Sequence, residues 1–190
     1  VGMRDNFVIA ALDRKVYRWG VRRGLPIFMA ESVEAKRKAG SAGEYGGNRF
    51  RSVTKLKSKA VLEVLKAGYS VIWTDVDITW FYNPLDALSP YMEKNGGMAI
   101  QSNAPFVANS QFAAVPHETV EDVVTDNPAA YRRLNSGLYV APGNPRVISA
   151  FEDIVDHAAK SRLSEQPSFD EVLCERSPSE RSVASCTYRP

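Results

Sequence analysis

The chain has 190 residues, 44% hydrophobic and 24% charged, enough for one domain with a sizeable core and ordinary for a globular protein. Its 24 basic and 22 acidic residues leave a net charge of +2 at pH 7, which gives no reason to expect nucleic acid or an anionic membrane as partner. No apolar run reaches the roughly 18 residues of a bilayer-spanning helix, so any leader or membrane anchor would lie outside this sequence, which begins at Val1.

Strand-like and helix-like stretches alternate along the chain. Residues 6–12, NFVIAAL, read as a buried strand. Asp13 is placed to cap a helix running through Val16, Tyr17 and Val21 to Gly24. Residues 25–30 form a second apolar run, and residues 31–54, rich in glycine and charge, read as loop. Leu56, Ala60, Val61, Val64 and Leu65 recur at helical spacing, and Gly68 ends that helix. Residues 69–74 make a third strand. Asn83 and Pro84 open a short helix over 83–88. Residues 97–102 read as a fourth strand, 103–133 show no strong periodicity, and 136–141 read as a fifth strand. The best-patterned helix covers 144–160: Asn144 caps it, and Val147, Ile148, Phe151, Ile154, Val155 and Ala158 form one stripe. This order predicts an α/β fold with a mostly parallel sheet, whose ligands bind at the carboxyl ends of strands. Asp13, Asp75 and Asp77 fall at such ends.

The two cysteines, Cys174 and Cys186, fit neither a zinc knuckle nor a redox pair. A loop-closing disulfide in an oxidising compartment and two independent thiols stay open as alternatives. No N-x-S/T acceptor sequence occurs.

The chemistry concentrates in AGYSVIWTDVDITWFYNPL, residues 67–85. If extended backbone continues through Val76, Asp75 and Asp77 project to one face. Carboxylates that close repel unless a cation or proton lies between them. Mg²⁺ or Mn²⁺ resolves this and keeps coordination sites for a diphosphate. The plain alternative is a pair of turn-capping aspartates. A competing pattern, a hydrophobic strand followed by D-x-D-x-T, is that of haloacid-dehalogenase phosphatases, in which Asp75 would be the nucleophile, Asp77 the acid–base and Thr79 a partner. Against it, some 70 patterned residues precede the motif, and the nearest later acidic pair, Asp153 and Asp156, lies inside a helix.

The stretch LKAGYSVIWTDVDITWFYNPL resembles the signature of nucleotide-diphospho-sugar transferases of the plant and algal type, related to glycosyltransferase family 77. VIAALDRKVYRWGVRRGLP is similar to the family's first strand, helix and Gly-Leu-Pro connection. RRLNSGLYVAPGNP resembles its Asn-Thr-Gly strand, with Ser136 for threonine. SEQPSFDEVLC resembles its Asp-Gln segment, with Glu165 for aspartate. The likeness covers roughly residues 6–174. It implies one GT-A-like (Rossmann-like) domain over 1–190, with a mostly parallel central sheet flanked by helices and without the family's late C-terminal segment. It implies a retaining, metal-dependent glycosyltransferase that moves a sugar such as arabinose, xylose or galactose from a UDP-sugar to a glycan or glycoprotein. Such enzymes work in the Golgi lumen on an N-terminal anchor.

The resemblance also implies roles. Asp77 ligates the Mn²⁺ or Mg²⁺, and Asp75 shares the metal or holds the ribose. Leu12, Asp13 and Thr74 lie on the nucleotide side. Lys57 or Lys59 neutralises the diphosphate, with a solvated helix end as the plain alternative. Asn135 and Gly137 face the sugar, the alternative being a strand-initiating turn. Glu165 and Gln166 lie beside the donor sugar or acceptor hydroxyl, with Asp170 as a substitute. Glu165 and Asp170 are the two candidate nucleophiles outside the metal site, unless attack comes from the leaving-group side. A third metal ligand has one weak candidate, His117, since His157 follows the polar side of its helix. Trp73, Trp80, Phe81 and Tyr82 form either a sugar-stacking wall or part of the core. Two other functions stand beside the transferase: an inactive sugar-nucleotide or glycan-binding module, and the phosphatase.

Overall fold

The computed structural model describes residues 7–30, 47–95, 97–102, 134–162 and 164–174. The first unit is a strand–helix–strand: β1 (Ile9–Ala11), α1 (Arg14–Val21) and β2 (Ile27–Met29), the two strands pairing in parallel. The Asp13 carboxylate accepts from the Lys15 and Val16 amides at 2.8 and 2.9 Å, the expected cap on two otherwise unbonded donors. Gly24 follows at φ 65°, so the chain turns back where a side chain would be strained.

The second unit holds α2 (Asn48–Lys66), β3 (Val71–Thr74), α3 (Pro84–Asn95), β4 (Ala99–Ser102), β5 (Leu134–Ala141), α4 (Pro145–Lys160) and α5 (Gln166–Leu173). Gly68, at φ 89°, closes α2 as its position suggests. Asn83 and Asn144 cap α3 and α4, accepting from Leu85 N at 3.1 Å and Val147 N at 3.0 Å.

Three expectations are corrected. Helix α2 begins at Asn48, inside the stretch read as loop to residue 54, because Phe50 and Val53 continue its helical spacing. The helix α5 has no counterpart in the elements read from sequence; its two turns are too short for a periodic signal. The pairing is mixed. Strand β5 lies between β3 and β4 and is antiparallel to both. Strands β3 and β4 therefore run in the same direction, as a strand–helix–strand unit requires, but a strand of opposite sense separates them. Among the described residues only β1 and β2 pair in parallel. The irregular stretch 103–133 and the tract 31–46 lie outside the described residues.

The core forms where α2, α4 and α5 meet β5. Leu65, Tyr139, Phe151, Ile154 and Phe169 are all essentially inaccessible. Tyr139 packs against Phe151 and Phe169 at centroid separations of 5.8 and 5.4 Å, and Phe151 meets Phe169 edge-on at 5.8 Å, the geometry aromatic quadrupoles prefer. The apolar stripe of α4 supplies Val147, Phe151, Ile154 and Ala158 as expected, together with Ala150.

The Tyr139 hydroxyl is buried with no hydrogen-bond partner among the described residues. Burial, and then the charges of Glu165 and Asp75, push its pKa well above the usual 10.0. Tyr139→Phe removes this desolvated hydroxyl and keeps the ring, so it is expected to stabilise the fold by about 1 kcal/mol. A higher midpoint in urea would be the readout.

Candidate active site

The carboxyl end of β3 and the middle of β5 carry the site. Strand β3 ends at Thr74, and a turn follows in which Ile78 N donates to Asp75 O at 3.3 Å. The extended backbone thus stops before Val76, and same-face projection of Asp75 and Asp77 by strand alternation does not apply. Asp75 is partly buried while Val76 and Asp77 are exposed. Asp75 stays fastened to the sheet because its amide donates to Gly137 O at 2.8 Å.

Strand β5 is irregular here. Tyr139 stands opposite Ile100, whereas Asn135 stands opposite the next residue of β4, Gln101. Ser136, Gly137 and Leu138 are therefore extra residues in the ladder with β4, while Leu138 keeps its place opposite Thr74 of β3. Bulges re-aim side chains and recur beside active sites. Asn135 Oδ1 accepts from Gly137 N at 2.7 Å and stiffens the bulge. A Cβ on Gly137 would lie 2.8 Å from that oxygen and 3.3 Å from Asp75 Oδ2. Gly137→Ala is expected to displace both groups and to lower the melting temperature by a few degrees; thermal melts of the variant would check it.

Lys57 reaches Asp75 from α2. Its ammonium is 2.7 Å from Asp75 Oδ1, with side-chain exposures of 18% and 40%. The same oxygen accepts from the Trp73 indole at 3.3 Å, and the lysine lies 5.6 Å from the Trp73 ring centre. The indole ring stacks on Tyr139, 6.3 Å away and 15° from parallel. Asp75 Oδ2 accepts no hydrogen bond among the described residues. Of the two lysines considered, Lys57 is in the site and Lys59 is exposed.

Glu165 is buried at 1% exposure. Its carboxylate accepts from Ser58 Oγ and Ser136 Oγ, both at 2.8 Å. Burial raises its pKa above the ordinary 4.5; Lys57 and the two hydroxyls pull it down, and Asp75 pushes it up. The native chain thus keeps this proton where the unfolded chain has released it. The resulting stability is complete below about pH 4.5 and is lost as pH rises through the native value. Glu165→Gln is expected to flatten that decline, measurable as midpoint against pH.

The other residues divide between the site and its surroundings. Gln166 Oε1 accepts weakly from Ser136 N at 3.4 Å. Asp170 Oδ1 holds Leu134 N at 3.0 Å, buried under β5. Thr74 Oγ1 donates to Asp75 O at 3.0 Å. Leu12 and Asp13 belong to the first unit; no described hydrogen bond joins them to Asp75, and the Asp13 carboxylate serves its helix. His157 is not the surface residue expected: it is partly buried, with Nδ1 3.1 Å from Ser168 Oγ, because α5 covers that side of α4. His117 lies outside the described residues. Phe81 and Tyr82 are 81% and 86% exposed, so they are not core. Ser58 was missed, although a lone serine three residues before Val61 and seven before Leu65 on the inner stripe of α2 was a readable signal.

A family model described as nucleotide-diphospho-sugar transferase matches residues 2–188. The chain belongs to that family. It is 40% identical over 169 residues to the beta-arabinofuranosyltransferase RAY1 of Arabidopsis thaliana, covering 89% of this chain and 28% of that protein. It is 26% identical over 176 residues to the arabinosyltransferase RRA2 of the same plant, covering 89% and 38%. A shorter stretch of 44 residues is 48% identical to the UDP-galactose:fucoside alpha-3-galactosyltransferase of Dictyostelium discoideum, 23% of this chain and 7% of that protein. The chain thus spans well under half the length of these family members. No solved structure matches it significantly. Membership in the family leaves the phosphatase pattern in residues 71–79 without support, and its acidic pair, Asp153 and Asp156, lies within α4.

Proposed function

We propose that this chain carries the donor-binding part of a glycosyltransferase that moves a sugar, with retention, from a UDP-sugar to a glycan or glycoprotein acceptor. The observation that carries the reading is the Lys57–Asp75 pair at the carboxyl end of β3, 2.7 Å apart, in a chain of this family. A cation and a carboxylate side by side at a strand end supply both things a diphosphate needs: a fixed positive charge and an anchor for a hard metal ion.

The donor set fits such an ion within limits. Among the described residues no group of three or more His, Cys, Asp or Glu could hold a metal. A magnesium-type ion is commonly held by one or two carboxylates, substrate phosphates and water, and Asp75 Oδ2 and exposed Asp77 meet that requirement. Mn²⁺ or Mg²⁺ held there would neutralise the charge building on the departing diphosphate. Lys57 binds the diphosphate directly, and the Asn135 amide and the Gly137 backbone orient the sugar. Both oxygens of Glu165 are occupied and Asp170 is buried, which favours attack from the leaving-group side over a carboxylate nucleophile. The same engagement favours, as second reading, a module that binds sugar nucleotide without turnover.

Cys174 is disulfide-bonded, which supports an oxidising compartment such as the Golgi lumen. None of the described helices is long and apolar enough to cross a membrane. Calorimetry with UDP, with and without Mn²⁺, tests the site. Metal-dependent binding followed by turnover of a UDP-sugar supports the transferase; binding alone supports the second reading; no binding overturns both.

A further inference from the structure

Glu165 is the buried carboxylate nearest in connection to the site, and the proposed mechanism gives it no bond to make or break. Its surroundings suggest another task. Ser58, which donates to Oε1, is buried on α2 beside Lys57 in the chain. Ser136, which donates to Oε2, is buried in the β5 bulge beside Gly137. Lys57 provides the cationic half of the ion pair, and Gly137 O receives the amide of the anionic half, Asp75. One carboxylate therefore fastens two backbone segments, one a single residue from Lys57 and the other a single residue from Gly137, whose carbonyl holds the Asp75 amide. An apolar side chain of similar volume would fill the space, but it would leave two buried hydroxyls on separate elements without their common acceptor.

We propose that Glu165 is a positioning residue that holds Lys57 and Asp75 at the separation that clasps a nucleotide diphosphate, by bonding Ser58 and Ser136, and that it is not the nucleophile. Its length matters. Aspartate is shorter by one methylene and reaches one hydroxyl at most, so Glu165→Asp does not substitute for it, whereas Glu165→Gln keeps the reach and one acceptor.

The inference rests on the donor-site reading for its function but not for its geometry, so two readouts separate them. In the full chain labelled with ¹³C at lysine Cε, the Lys57 resonance reports the pair without any nucleotide. Glu165→Asp and the double variant Ser58→Ala/Ser136→Ala are expected to move that resonance, and Glu165→Gln to move it less. UDP with Mn²⁺ is expected to bind about tenfold more weakly to the first two variants, with Glu165→Gln in between. An unmoved Lys57 resonance in the folded double variant, which keeps Glu165 in place, overturns the proposal. So does unchanged UDP affinity in Glu165→Gln with turnover abolished, the signature of a nucleophile. A resonance that moves in the variants while the unaltered chain binds no UDP upholds the bracing and removes the donor-site reading instead.

Discussion

Asp75→Ala is expected to weaken Mn²⁺-dependent UDP binding by about a hundredfold or more, or roughly 3 kcal/mol, while the domain stays folded. The variant deletes the carboxylate that, among the described residues, meets Lys57 and the Trp73 indole at once. The fold should survive because the pair is partly exposed, at 18% and 40%, and such pairs contribute about 1 kcal/mol or less. Lys57 is not stranded either, since Glu165 lies within its field. Lys57→Met sharpens the test by acting on two ligands in opposite directions. Removing the ammonium frees Asp75 Oδ1, so Mn²⁺ alone should bind more tightly. On the proposed donor-site reading it also removes the positive charge that would face a diphosphate, so UDP should bind more weakly. Titrations of Mn²⁺ and of UDP on one preparation would show the crossing. A variant that loses or gains both together would mean that Lys57 and the metal do not share Asp75.

The second large effect concerns the core beneath the site. Phe151→Ala should cost about 3–5 kcal/mol, a large share of the roughly 5–15 kcal/mol that holds a domain together. Phe151 is inaccessible and touches both Tyr139 and Phe169. Its loss opens a cavity under β5, the strand that carries the bulge with Ser136 and Gly137. Stability and nucleotide affinity should fall together, with a melting temperature lower by about 10 °C or more. Phe151→Leu fills more of the space and should recover most of both. Circular dichroism melts with UDP titration would separate this case from Asp75→Ala, which loses affinity and keeps stability.

Much of the molecule was legible in residue order. The stripe Val147, Phe151, Ile154 and Ala158 and the run Leu56, Ala60, Val61 and Leu65 announced α4 and α2, because helical burial repeats every three or four residues. Asp13, Asn83 and Asn144 marked helix starts, and Gly24 and Gly68 marked ends, because each solves a local backbone problem that needs no distant partner. The family resemblance was readable in the stretch around Asp75 for a similar reason: its residues are contiguous.

What depends on distant partners was not readable. The pairing sense of β3, β4 and β5 is decided by which strand inserts between which, and the pattern within a strand is the same in either direction. Exposure of His157 was misread because it depends on α5 packing across α4. The turn after Thr74 replaced the expected strand alternation, and with it the notion of two carboxylates facing the same way. The selection of Lys57 over Lys59, and the engagement of Glu165 by Ser58 and Ser136, arise where α2, β5 and α5 meet, between residues 29 and 107 positions apart. Local chemistry wrote the elements and their caps into the sequence; the electrostatics of the site came into being only when three elements brought their polar groups into one shielded place, where a charge without a partner is costly.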